Sequence, residues 1–186
     1  QPQTIERLLA RGFDPNTINE KGVPGLLLAL QSEAKKAAWV LAQHPKTNVN
    51  VETANGETPL MLAAIQNQIE LCQLLIDRGA DVNRPGWTPL HYAATRGHRE
   101  AIRLLLEHDA YIDSESAQGV TPLMMAARYG SPLSVKLLLE EGADPTLADS
   151  NNATALDWAA SADHPQSVFY IKAFTEAWQI QNPTVD

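Results

Sequence analysis

The chain has 186 residues, 44% of them apolar, with 22 acidic against 14 basic side chains and a formal charge of −8. Such a length can bury a substantial core, no apolar run approaches the roughly 20 residues that cross a bilayer, and the negative balance disfavours phosphate backbones and anionic membrane surfaces as partners. The composition therefore predicts a soluble protein that neither inserts into membranes nor binds nucleic acid, and its basic residues are scattered singly or in pairs such as Lys35-Lys36.

Ile5, Leu8 and Leu9 have helical spacing and run into Gly12-Phe13-Asp14-Pro15-Asn16, so residues 1–16 form the second half of a helix–turn unit. The reading expects a partner helix for residues 3–11, and room for a signal peptide, upstream of residue 1. Residues 17–50 follow, with Lys21-Gly22-Val23-Pro24-Gly25-Leu26 at their first helix. Without a Ser, Thr, Asn or Asp before the helix the N-cap oxygen is missing, and this start is expected to be loose. The unit ends in His44-Pro45-Lys46-Thr47-Asn48-Val49-Asn50, a bulged connection one residue longer than Asp77-Arg78-Gly79-Ala80-Asp81-Val82-Asn83.

From there a phrase recurs as Gly56-Glu57-Thr58-Pro59-Leu60, Gly86-Trp87-Thr88-Pro89-Leu90 and Gly119-Val120-Thr121-Pro122-Leu123. Its leucine falls at Leu26, Leu60, Leu90, Leu123 and Leu156, with spacings of 34, 30, 33 and 33. Thr before Pro is an N-cap followed by the one helical position that tolerates a missing N–H, so inner helices should start at Pro59, Pro89, Pro122 and Ala155. Small pairs follow: Ala63-Ala64, Ala93-Ala94, Ala126-Ala127 and Ala159-Ala160. Asn67, Gly97 and Gly130 are then expected to stop the helix in a left-handed conformation. Second helices carry one apolar stripe each: Cys72/Leu75/Ile76, Ile102/Leu105/Leu106 and Val135/Leu138/Leu139. The repeats run 51–83, 84–113 and 114–146, and 147–186 holds a last repeat and a capping helix, Ser167 to Gln179, with Val168, Ile171, Phe174 and Trp178 on one side and Asn182-Pro183 as its stop.

Thr88-Pro89-Leu90-His91-Tyr92-Ala93-Ala94, with the period near 33, resembles the ankyrin repeat, and the resemblance covers nearly the whole chain. It implies an all-α fold, a solenoid of stacked antiparallel helix pairs with β-hairpin fingers, in a single domain. Asn83 is separated from Gly86 by two residues where Asn50 is separated from Gly56 by five. One finger is therefore expected to be stunted, leaving a notch at Arg84-Pro85-Gly86-Trp87. In the family the partner usually lies on the concave side, against finger residues flanking the Gly and the two residues after the alanine pair. Carried onto this sequence, those contacts include Asn55, Glu57, Ile65, Gln66, Trp87, Arg96, Arg128 and Tyr129. Trp, Tyr and Arg are the types that dominate binding energy, so an acidic or aromatic-bearing partner segment is expected. Tyr92, Met125 and Trp158 align with Leu62 and are read as core between repeats.

No catalytic constellation emerges. His91 and His98 sit at family positions and read as structural hydrogen-bonders, whereas His44, His108 and His164 lie in turns or at helix ends. No histidine pair has ligand spacing, no Gly-x-Ser-x-Gly elbow or phosphate loop occurs, and Cys72 fills a buried-stripe position. The expectation is a noncatalytic protein-binding module, without cofactor or metal and monomeric. The alternative is a small-ligand or enzyme-accessory protein using the notch near Trp87. The repeat combination is also similar to ankyrin proteins of Gram-negative bacteria, which implies a periplasmic or exported location, with the cytoplasm as alternative.

Overall fold

The structure, a computed structural model, describes residues 2–181. It contains eleven helices among those residues and, in place of a sheet, two isolated bridges, Ile18 with Pro24 and Ala148 with Thr154. The chain divides into two compact units, Gln1–Asp81 and Val82–Asp186.

The first unit holds α1 (Pro2–Ala10), α2 (Gly25–Gln31), α3 (Lys35–Gln43), α4 (Pro59–Ile65) and α5 (Ile69–Asp77). Inner helices α2 and α4 pack on each other and on their own outer helices α3 and α5, and α1 joins the outer row beside α3. The second unit holds α6 (Pro89–Thr95), α7 (Arg99–Glu107), α8 (Pro122–Tyr129), α9 (Pro132–Glu140), α10 (Ala155–Ser161) and α11 (Pro165–Gln181). There α6, α8 and α10 form the inner row and α7, α9 and α11 the outer one.

The Thr-Pro phrase works as expected. The hydroxyls of Thr58, Thr121 and Thr154 accept from the N–H of Met61, Met124 and Asp157 at 3.3, 3.3 and 3.4 Å. Each box is closed by whatever the third residue offers, the Met61 and Met124 sulfurs or the Asp157 carboxylate. Pro24 provides no such bond at α2, as its sequence implies. The motif leucines Leu26, Leu60, Leu90 and Leu123 are buried, together with the three alanine pairs of α4, α6 and α8.

Several expectations need correction. Asn67 and Gly97 have φ of 53° and 66°, but Gly130 sits at φ −85°, ψ −143°. Its small size is needed for approach instead, since a Cβ there would come 2.6 Å from the Ala94 carbonyl oxygen. Leu156 is only half-buried and Ala160 is exposed, because no further inner helix covers α10 among the described residues. Tyr92, Met125 and Trp158 are half-buried rather than core. The final helix begins at Pro165, with Ser167 and Ile171 buried. The Trp178 side chain and Asn182-Pro183 lie outside the described residues.

Candidate partner-binding face

The fingers are held by side chains more than by strand pairing. Asn19, Thr53, Ser116 and Asp149 occupy one position in four fingers, and each accepts two backbone N–H groups from its own turn, two and four residues on. The turn then needs a positive φ, supplied by Gly22, Gly56 and Gly119 and, in the last finger, by Asn152 at 59°. Asx and ST turns of this kind fix a loop with one short polar side chain. The fingers at Gly119 and Asp149 also touch, the Ser150 N–H donating to the Gln118 carbonyl at 2.9 Å. The shortened finger keeps the glycine, Gly86 at φ 79°.

A second device links successive connections. Asn16, Asn50 and Asn83 each accept from one N–H of the next repeat (Asn48, Asp81, Tyr111) and donate to a carbonyl two residues earlier (Lys46, Gly79, Asp109), at 2.7–2.9 Å. The side chain of Asn83 is thereby engaged at both ends. Arg78 holds the bulged connection, its guanidinium donating to the carbonyls of Ala42, His44, Pro45 and Thr47. None of these residues stood out in the sequence, although the returning Asn at the end of each turn phrase was a visible signal.

In the second unit the structure gathers Arg128 and Tyr129 at the C-terminal end of α8 with Trp158 of α10. The Arg128 guanidinium carbon lies 5.5 Å from the Tyr129 ring centroid and 5.6 Å from that of Trp158. The two rings meet edge to face at 6.5 Å, and Arg128 Nη1 donates to Ser161 Oγ at 3.4 Å. Trp158 Nε1 donates to Asp149 Oδ2 at 3.0 Å, which fixes the indole. Three donors, led by the Ala153 N–H, hold the Asp149 carboxyl below the usual carboxylate range. Tyr129 remains 55% exposed. Trp158, read as core in the sequence, is the residue of this cluster that register with Leu62 concealed.

Arg96 is the residue that follows the last turn of α6; its side chain is exposed and makes no hydrogen bond or ion pair among the described residues. Trp87 is not part of that cluster. It lies at the other end of α6, about 13 Å away along the axis at 1.5 Å per residue, and rests edge-on against His91 with ring centroids 5.1 Å apart. In the first unit Asn55 is exposed on its finger, while Glu57 accepts from the Thr53 hydroxyl. Ile65 is half-buried at the end of α4. Gln66 donates its amide to the Leu30 carbonyl and accepts from Gln68, so its polar end serves the fold.

His91, His164 and Cys72 serve the fold. His91 is fully buried; Nδ1 accepts from the Thr88 N–H at 3.2 Å, and Nε2 therefore carries the hydrogen that goes to the Val120 carbonyl at 2.9 Å. Burial holds its pKa down at about 4, against a smaller upward pull from that carbonyl. His164, also a fold residue, bonds the Ala127 carbonyl through Nδ1 at 2.9 Å. Burial pushes the Cys72 thiol up to about 12, which keeps it from being a nucleophile. No group of three or more His, Cys, Asp or Glu among the described residues could hold a metal ion, and no described helix is long and apolar enough to cross a membrane. An apolar cavity of about 440 Å³ lies in the first unit, lined by Ile5, Leu8, Phe13, Leu28 and Leu41 among others. It occupies the place beside α1 and α2 that an inner helix fills in the other repeats.

Family models describing ankyrin repeats match residues 84–149, 115–174 and 60–106. The chain belongs to the ankyrin-repeat family. Ankyrin repeats are protein–protein interaction modules, and the fold is typically noncatalytic. The chain is 34% identical over 109 residues to ankyrin repeat and SAM domain-containing protein 6 of Rattus norvegicus, covering 56% of this chain and 12% of that protein. It is 33% identical over 109 residues to transient receptor potential cation channel subfamily A member 1 of Homo sapiens, covering 57% and 10%. An ankyrin repeat protein of Rickettsia bellii is 39% identical over 66 residues, 34% of this chain and 39% of its own length. The ankyrin chain thus spans about a tenth of the length of the first two relatives.

Proposed function

We propose that this chain is a noncatalytic, monomeric binding module that receives a protein or peptide on the finger and inner-helix face of its second unit. The observation that carries the reading is the exposed cluster of Arg128 and Tyr129 against a fixed Trp158. Aromatic and guanidinium groups arranged in this way are those that dominate interface energies. Arg96 extends the face along α6 and Trp87 marks its finger side, while Asn55, Glu57, Ile65 and Gln66 give the first unit a face of the same type. The net charge of −8 argues against nucleic acid as the partner. A relative in Rickettsia bellii supports the similarity to bacterial ankyrin proteins, and on that basis export to the periplasm is the proposed location.

Affinity capture with cross-linking, run beside a folded Trp87→Ala/Arg96→Ala/Tyr129→Ala variant, tests the face. One protein captured by the wild type and lost by the variant is expected; unchanged capture would sink the reading. Fractionation of the native organism tests the location, with recovery in the cytoplasmic fraction counting against export.

A further inference from the structure

We infer that the segment this face receives is acidic, with two carboxylates spaced to engage Arg96 and Arg128 together. This rests on the face proposed above and names the chemistry of its occupant.

The C-terminal ends of the inner helices in the second unit stand in one row. A Cβ on Gly97 would come 2.8 Å from the Ser131 nitrogen and one on Gly130 2.6 Å from the Ala94 oxygen, so α6 and α8 meet backbone to backbone there. His164 on the Ala127 carbonyl and Arg128 on Ser161 repeat the juxtaposition between α8 and α10. The helix ends that carry Arg96 and Arg128 are therefore neighbours, their axes about 8–10 Å apart at ordinary helix spacing, with Arg96 in the register of Tyr129 and Arg128 one residue before it.

Neither arginine is used by the fold in the usual way. In a chain carrying eight more acidic than basic side chains by formal charge, Arg96 has no carboxylate, and Arg128 meets only two ring faces and a hydroxyl. They do not cap the helix ends, because those carbonyls already have donors: Gly97 N–H on Ala94, His98 N–H on Ala93, Gly130 N–H on Ala126 and His164 on Ala127. The carboxylates of the neighbouring repeat are occupied as well, Asp149 by Trp158 and its own turn and Asp157 by Thr154. Ring faces hold a guanidinium by its plane and leave its N–H edge open, and that edge is the part that takes a carboxylate in two parallel hydrogen bonds. An extended polyproline-type segment places residues i and i+3 on one side about 9 Å apart, comparable with the spacing of the two helices that carry the arginines.

The test uses the whole chain and two pools of decapeptides with no charged side chain outside the fixed positions and with blocked ends, one fixed with Glu-x-x-Glu at its centre and one with Gln-x-x-Gln, titrated by calorimetry. The Glu pool should bind at least about tenfold tighter and weaken with added salt. Arg96→Gln and Arg128→Gln should each lower the Glu pool's affinity about tenfold, several times more than they lower that of the Gln pool, and Arg128→Lys should fall between. Equal binding of the two pools, wild-type affinity in both Gln variants, or no binding of either pool would overturn the inference. If binding is charge-independent yet lost in Tyr129→Ala, only the acidic inference fails; if Tyr129→Ala also binds normally, the face fails with it.

Discussion

Asp113 stands where Asn16, Asn50 and Asn83 stand in the other connections, and it accepts from the Asp144 N–H with both carboxylate oxygens, at 3.1 and 3.2 Å. An asparagine also donates to the carbonyl two residues earlier; a carboxylate cannot. Burial raises the Asp113 pKa, the Asp144 N–H opposes this, and the charges of Asp144 and Glu115 add to the rise. Asp113→Asn should therefore stabilise the protein by about 1 kcal/mol in urea unfolding at neutral pH. Since the folded form binds this proton more tightly than the unfolded chain, the penalty sets in as pH rises through the raised pKa and the advantage of Asn should shrink in acid. His91 has the opposite sign. Its folded pKa of about 4 lies below the usual 6.5, so stability is lost as pH falls from about 6.5 to 4, by roughly 3 kcal/mol at the limit. Protonating Nδ1 would turn a hydrogen toward the Thr88 N–H. The check is a titration of the His91 ring by NMR, which should show its midpoint near 4; an ordinary midpoint would refute the assignment.

At the scale of helices and turns, Gly130 decides how closely α8 approaches α6. A methyl group there would press on the backbone oxygens of Ala94 and Ala126, at 2.6 and 2.8 Å, neither of which can swing away. Gly130→Ala is expected to cost about 1–3 kcal/mol by overpacking, whereas Gly142→Ala, with open space around it, should show only the smaller strain of its positive φ in the same melt. Inner-helix starts were legible because Thr and Pro act on adjacent backbone atoms, and the core was legible from apolar spacing. The stop at Gly130 was misread because contact with another helix, rather than φ, demands glycine there. The fingers were expected as hairpins, and each of these four has a backbone bond across it, from the N–H of Asn19, Thr53, Ser116 or Asp149 to the carbonyl four residues on; that the side chains of the same residues reinforce the turn was not foreseen. Arg96, Arg128 and Tyr129 were legible as candidates from repeat position. Trp158 as their companion was not, since register with Leu62 says nothing of a neighbouring arginine.

Across the whole molecule, repeat stability is a sum of local terms, and the two units should respond separately to local damage. Arg78 donates to four carbonyls within Gln1–Asp81, so Arg78→Ala should speed hydrogen exchange at amides before residue 82 more than at those after it. Uniform acceleration would show that the array opens as one body. The asparagine links carry a further consequence. Asn50 reaches 29 and 31 residues ahead, and Asn83 only 26 and 28, the difference being the three residues lost from the finger between. The link closes in the same way in both, so its geometry is indifferent to what is spliced into the finger. A finger in this chain should therefore behave as a replaceable cartridge, its length free to change while the frame that seats it keeps the same bonds.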